Sequence, residues 1–179
     1  MSFRILPVGQ SAAPIVAALS VAGWRETYAG RVPDDYLAAL DRHPKHDVAS
    51  WRARMGDAGR PSWTYVAERG DGPVGFVHCR ACEDLPGYRG EIWRLYVLRR
   101  AQGEGIGRAL FDAATATLTA QGRAPVMLWV LEFNWGARAF YKKLGGREIA
   151  RHSFDLAGVP TPEVAYGWPA DGTPAVRAP

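Results

Sequence analysis

The chain opens with a short alternating apolar run, Phe3 to Val8, that reads as a strand. Pro14 then suits an early helical position, and Ile15, Ala18, Leu19 and Ala22 recur at helical spacing, predicting a helix that continues to Tyr28. A second helical piece follows Pro33-Asp34-Asp35, with Val32, Tyr36, Leu37 and Leu40 on one side. From Arg42 to Pro61 the pattern lapses into a polar, uneven stretch, which predicts a mobile loop. Trp63 to Glu68 and Val74 to Arg80 are β-rich runs, and Arg69-Gly70-Asp71-Gly72-Pro73 between them is a hairpin signal.

After Gly90 the periodicity sharpens. Ile92 to Leu98 is a nearly continuous apolar strand, followed by a loop from Arg99 to Gly105 and then a helix. Ile106, Ala109, Leu110, Ala113, Ala114, Thr117 and Leu118 keep the helical period, and Gly122 is placed to end it. Val126 to Leu131 is wholly apolar, the pattern of a strand covered on both faces. One helix connects these two strands, so they should lie parallel. Asn134 is placed to cap a helix whose Ala137, Phe140, Tyr141 and Leu144 form one stripe before Gly145-Gly146. Arg147 to Leu156 and Val159 to Trp168 read as a closing hairpin about Ala157-Gly158. The expected organisation is one α/β domain over residues 1–168, followed by a flexible Pro-, Ala- and Gly-rich tail over 169–179.

Composition narrows the function without naming it. With 47% hydrophobic and 22% charged residues, the chain suits an ordinary globular protein. No apolar run reaches the roughly 20 residues that span a bilayer, and the start lacks a signal-peptide pattern, so a cytoplasmic address is expected with no membrane partner. The net charge of +4 comes from scattered residues, which disfavours nucleic acid and suits a small polyanion. Cys79 and Cys82 form a C-x-x-C, but in a strand context, where an offset of three sends the sulfurs to opposite faces. No second pair completes a zinc site, so no metal is expected and both thiols are read as structural. His78, beside them, is read in the same way.

The chemistry concentrates in Arg99-Arg100-Ala101-Gln102-Gly103-Glu104-Gly105-Ile106-Gly107-Arg108. Three glycines allow close backbone approach, and the following helix aims free N–H groups and a positive dipole end into the same space. This is a phosphate cradle, with Arg99, Arg100 and Arg108 nearby for further phosphate charge. A P-loop fails because Gly107 is followed by Arg108-Ala109, and a dinucleotide fingerprint fails because the glycines are spaced G-x-G-x-G.

Gln102-x-x-Gly105-x-Gly107 is similar to the Q/R-x-x-G-x-G/A pyrophosphate signature of the GNAT N-acetyltransferases, and the element order from Phe3 to Trp168 resembles that family's. The resemblance implies a mixed, twisted, seven-strand sheet flanked by helices, the GNAT-like acyl-CoA N-acyltransferase fold. It implies acetyl-CoA as cosubstrate and direct acetyl transfer, in a ternary complex, to a small-molecule or peptide primary amine. Leu95-Tyr96-Val97 takes the place of the strand that binds pantetheine, and Gln102, Gly103, Glu104, Gly105, Ile106, Gly107 and Arg108 that of the diphosphate loop. Asn134-Trp135-Gly136-Ala137-Arg138-Ala139-Phe140-Tyr141 resembles the family's N-x-x-A-x-x-F-Y segment, which gives Asn134 a cofactor contact and Tyr141 the role of proton donor to the leaving thiolate. Many relatives have Pro where Arg99 stands.

The general base is expected at Glu91, whose spacing of eleven residues before Gln102 resembles that of the catalytic glutamate in the superfamily's histone acetyltransferases, with Glu83 and Asp84 as rivals. Trp24, Trp51 and Trp63 are candidates for an acceptor pocket, to which the stretch from Arg42 to Pro61 would contribute a loop. The alternatives are a non-catalytic acyl-CoA-binding or sensing module and a partner-binding domain, including a homodimer.

Overall fold

The computed structural model describes residues 2–43 and 45–169; the expected tail lies almost wholly outside them. Seven strands, β1 (Phe3–Val8), β2 (Ser62–Arg69), β3 (Gly72–Ala81), β4 (Gly90–Val97), β5 (Val126–Leu131), β6 (Arg147–Leu156) and β7 (Val159–Trp168), form one sheet in the order β1-β2-β3-β4-β5-β7-β6. Among the described residues, five α-helices accompany it: α1 (Ala13–Tyr28), α2 (Asp34–Ala38), α3 (Val48–Met55), α4 (Ile106–Ala120) and α5 (Trp135–Lys143). This is the mixed seven-strand α/β sheet that the sequence implied. The β4–β5 pair is parallel, as one connecting helix requires, and the other neighbours are antiparallel.

The two faces of the sheet carry separate cores. On one, Ile106, Leu110, Ala114 and Leu118 of α4 and Tyr141 of α5 pack on Val77, Ile92, Leu128, Val130 and Val164. Each buried aliphatic side chain there contributes about 1.5–3 kcal/mol relative to exposure. On the other face, α1 and α3 bring Val16, Leu19 and Trp51 onto Val66 and Phe76. Cys79 belongs to the first core and Cys82 packs on the opposite face, so the C-x-x-C is split across the sheet and both thiols are free.

The stretch from Arg42 to Pro61 departs from expectation, because α3 occupies Val48–Met55. Asp47 caps it by accepting a hydrogen bond from Ser50 N–H at 2.8 Å. Trp51, fully buried, anchors it edge-on against Phe76 and His78.

Two histidines are sealed on this face: His46 Nδ1 lies 3.0 Å from Ser20 Oγ, and His78 Nδ1 lies 2.8 Å from Thr64 Oγ1. Burial first, and nearby arginines second, push each imidazole from 6.5 down to about 3. Both are therefore neutral in the fold, whereas the unfolded chain takes up protons below pH 6.5. Stability is complete above that pH and is lost as pH falls from 6.5 towards 3, by about 1.4 kcal/mol per unit for each histidine. Urea unfolding at about pH 7.5 and about pH 5 should show wild type losing more stability than the His46→Asn/His78→Asn double variant, whose asparagines do not titrate.

Candidate active site

β4 and β5 pair only at Gly90↔Val126 and Glu91↔Met127. Beyond these residues the strands part, and the edges from Ile92 to Val97 and from Val130 back to Trp129 line a cleft of about 620 Å³ that runs between the two faces of the sheet. A bulge lies on β4 beside the opening. His78 pairs with Arg94 and Cys79 with Ile92, so Trp93 is the extra residue on β4 and the side-chain phase changes there. As a result Trp93 and Tyr96 both pack on the α1–α3 face, while Ile92, Leu95 and Val97 face α4.

At one end the cleft meets the glycine loop. Gly103 and Gly105 adopt φ of +80° and +84°, left-handed conformations that favour glycine, and Gly105 is the residue before α4. The first bond into the helix is Ala109 N–H to the Gly105 carbonyl at 3.1 Å. Among the described residues, the six N–H groups from Gly103 to Arg108 find no acceptor. A Cβ on Gly105 would meet nothing within 4 Å, so the space over this row of donors is open. Unpaired donors, a helix N-terminus and open room together fit a diphosphate.

The loop arginines divide. Arg108 lines the cleft beside its partner Asp112, and Arg99 lines it while donating from Nη2 to the Glu26 carbonyl at 2.7 Å. Arg100 instead pairs with Asp71 on the β2–β3 hairpin, so it is not at the cradle as expected. Gln102 donates from Nε2 to the Val97 carbonyl at 2.9 Å, which ties the loop to the end of β4. Glu104 turns back to Arg69 at 2.7 Å and Ile106 is sealed in the core, so these two offer the cleft only backbone N–H.

At the middle of the cleft, Asn134 has two contacts. Its Oδ1 accepts from Ala137 N–H at 3.2 Å as the cap of α5, and its Nδ2 donates to Tyr28 Oη at 3.3 Å. Tyr141, about two turns further along α5, lines the cleft, and its hydroxyl has no hydrogen-bond partner among the described residues. Burial pushes its phenol well above the ordinary tyrosine range. Leu95, Tyr96, Val97, Gln102, Gly103, Gly105, Gly107, Arg108, Asn134 and Tyr141 are thus gathered on one cleft.

Glu91 is not among them. It lies where β4 and β5 still pair, opposite Arg80 in the β3–β4 register. Arg80 Nε donates to its Oε2 at 2.6 Å, and Arg60 Nη2 lies 3.7 Å away. Burial pushes its carboxyl up and Arg80 pulls it down. Glu83 and Asp84 pair with Arg60 on the same outer cluster. The carboxylates that line the cleft are Glu26, whose Oε2 accepts Arg99 N–H at 2.6 Å, and Glu163, which sits 3.1 Å from His152 Nε2. Glu163 comes from β7, opposite Leu131.

The far half of the cleft is aromatic: Trp24, Tyr28, Tyr36, Trp129 and Phe154 line it around Arg94. Of the three tryptophans expected there, Trp24 is present, Trp51 is core, and Trp63 packs against the α4-side core. Gly23 sets the approach of α1 to this half, since a Cβ there would come within 2.7 Å of the Tyr96 ring. Arg94, Trp129, Phe154 and Glu163 were not singled out by sequence. Each stands in an ordinary strand pattern, and only the parting of β4 from β5 exposes them together.

A family model described as the acetyltransferase (GNAT) family matches residues 24–146. An uncharacterized N-acetyltransferase of Bacillus subtilis, YuaI, is 32% identical over 156 residues, 86% of each chain. Among solved structures, a GCN5-related N-acetyltransferase from Rhodopseudomonas palustris superimposes with a TM-score of 0.72 at 22% identity, covering 94% of this chain and 96% of that one. The PaiA N-acetyltransferase from Thermoplasma acidophilum, in complex with coenzyme A, gives 0.71 at 18% identity over 94% of this chain and all (100%) of that one. These two likenesses show the fold.

The placement of Glu91 predicts a structural effect. Glu91→Ala should lower stability by up to about 3 kcal/mol, because it removes the close carboxylate from the part-buried Arg80 guanidinium and leaves it only the more distant Asp84 at 3.7 Å. The check is thermal or urea unfolding, with Arg80→Ala/Glu91→Ala losing less than the sum of the two single changes.

Proposed function

The chain belongs to the acetyltransferase (GNAT) family and is an N-acetyltransferase, and on that premise we propose that the cleft binds acetyl-CoA and passes its acetyl group directly to a primary amine. The observation that carries this reading is the row of unpaired N–H groups from Gly103 to Arg108, opening onto the same cleft as the unpartnered Tyr141 hydroxyl. When bound, acetyl-CoA supplies a thioester, a carbonyl carbon already open to attack by nitrogen.

The residues of this chain then divide the work. The loop N–H groups and Arg108 hold the diphosphate. The free β4 edge gives backbone groups to the pantetheine arm and a donor to the thioester oxygen as it gains charge. Asn134, fixed by the cap of α5 and by Tyr28, holds the arm from the other side. Glu163 accepts the amine proton, directly or through water, since an alkyl amine with a pKa of about 10.4 arrives protonated. The C–N bond forms as the C–S bond breaks, and Tyr141 delivers its proton to the sulfur. Its raised phenol keeps that proton until the thiolate appears, and the desolvation that raises the phenol raises the proton affinity of a buried thiolate as well.

The diphosphate assignment is tested by calorimetry with acetyl-CoA on two variants of one glycine. Gly105→Ala and Gly105→Trp share the cost of a left-handed backbone, about 1–2 kcal/mol, but only the indole fills the cradle. The tryptophan variant should bind at least about tenfold more weakly than the alanine variant, a difference of about 1.4 kcal/mol. Equal affinities would put the diphosphate elsewhere.

Proton transfer is tested by the rate of thiol release with a verified amine. Tyr141→Phe and Glu163→Gln should each lower kcat by about 100-fold, the usual scale of general acid or base catalysis, with acetyl-CoA affinity unchanged. Unchanged kcat in either variant removes that residue from the chemistry, and binding without turnover over a broad amine panel would make the domain an acyl-CoA-binding module.

A further inference from the structure

Arg94 stands in the aromatic half of the cleft, half-buried, on the bulged edge of β4. Its Nη1 donates to the Trp93 carbonyl at 2.8 Å, and its guanidinium lies 4.1 Å from the centre of the Trp93 ring. Among the described residues no carboxylate comes within 4.0 Å of it. Both cleft carboxylates are engaged elsewhere, Glu26 by Arg99 and Glu163 by His152. A second cation lining the cleft, Lys45, reaches over the Phe154 ring at 5.8 Å and has no ion-pair partner among the described residues either.

A half-buried cation among aromatic side chains without a counter-charge costs free energy that a ligand anion recovers. Guanidinium is suited to that anion, because its planar fork matches the two oxygens of a carboxylate. The cradle at the other end of the cleft already accounts for phosphate, and a bulky phosphate would have to share the space between Trp24, Tyr36 and Trp129 with the acceptor body. We propose that the acceptor is an amino-carboxylate, a primary amine bearing a carboxylate that pairs with Arg94 and an apolar or aromatic body that rests on these rings. This rests on the acyl-transfer reading and deepens it. Arg94 also works on the amine itself, since a fixed positive charge close by favours the neutral, attacking form.

Product analogues separate the two readings, because their binding requires no transfer. Quenching of tryptophan fluorescence, or calorimetry where quenching is weak, is measured for N-acetyl-L-phenylalanine, N-acetyl-L-leucine and N-acetyl-L-methionine beside their C-terminal amides. At least one acid should bind about tenfold or more tighter than its amide, the scale of a charge-assisted pair. That preference should vanish in Arg94→Gln and survive in part in Arg94→Lys, with unfolding midpoints close to wild type. Equal binding of acid and amide by wild type, tighter binding of the amides, or no binding by any of the acids would overturn the proposal. The wild-type comparison decides even if the variants fold poorly. Acid preference without acetyl transfer to phenylalanine, leucine or methionine would leave the anion site standing and count against the transfer reading. Transfer to phenethylamine as fast as to phenylalanine would do the reverse.

Discussion

Only two residue pairs join β5 to β4, and the molecule is arranged around the gap that follows. A strand edge inside a sheet leaves N–H and C=O groups without partners, a cost that folded chains ordinarily avoid. Here it is confined to the cleft, and the rest of the sheet compensates by continuous pairing: six register pairs between β5 and β7, and a long β6–β7 ladder beyond. α4 lies over β2, β3 and β4 on one side of the gap, and Tyr141 of α5 packs on Tyr166 and Trp168 of β7 on the other. The opening is therefore held wide by the core on each side of it, and the backbone it exposes is fixed in direction.

That arrangement explains why one short loop concentrates so much chemistry. The chain leaves the unpaired end of β4, turns through two left-handed glycines and enters α4, so the free strand edge and the free helix end share one volume. α5 enters the same volume from the β5 side, with Asn134 at its cap and Tyr141 on its inward face. The charges on the outer part of β3 and β4 are arranged differently. Arg60, Arg80, Glu83, Asp84 and Glu91 satisfy one another in a cluster away from the cleft.

The strands, the two long helices and the glycine loop were legible because their signals are local: a period, a cap, a turn residue. α3 was missed although Asp47 and Ser50 form a cap signal, because a single buried residue, Trp51, gives no stripe to read. Glu91 shows a different limit. Its distance from Gln102 could be counted, but its partner could not, since Arg80 is brought opposite by the β3–β4 register and then occupies the carboxylate. The aromatic half of the cleft was illegible for the same reason, as it assembles residues from α1, α2, β4, β5, β6 and β7. Side-chain phase on β4 was also hidden, because the bulge at Trp93 shifts it by one residue and hydrophobicity alone gives no sign of a bulge.

Gly23 connects helix packing to the shape of the cavity. The bare backbone of α1 lies against the ring of Tyr96, and a methyl group at this position would collide with that ring at 2.7 Å. The ring also packs on Phe76, at a centroid distance of 6.0 Å, and lines the cleft, so where it sits bears on the width of the cavity. A single hydrogen atom at Gly23 thus acts as the calliper of the cavity: the gauge of what enters is set from behind its wall, by a residue that never meets the guest.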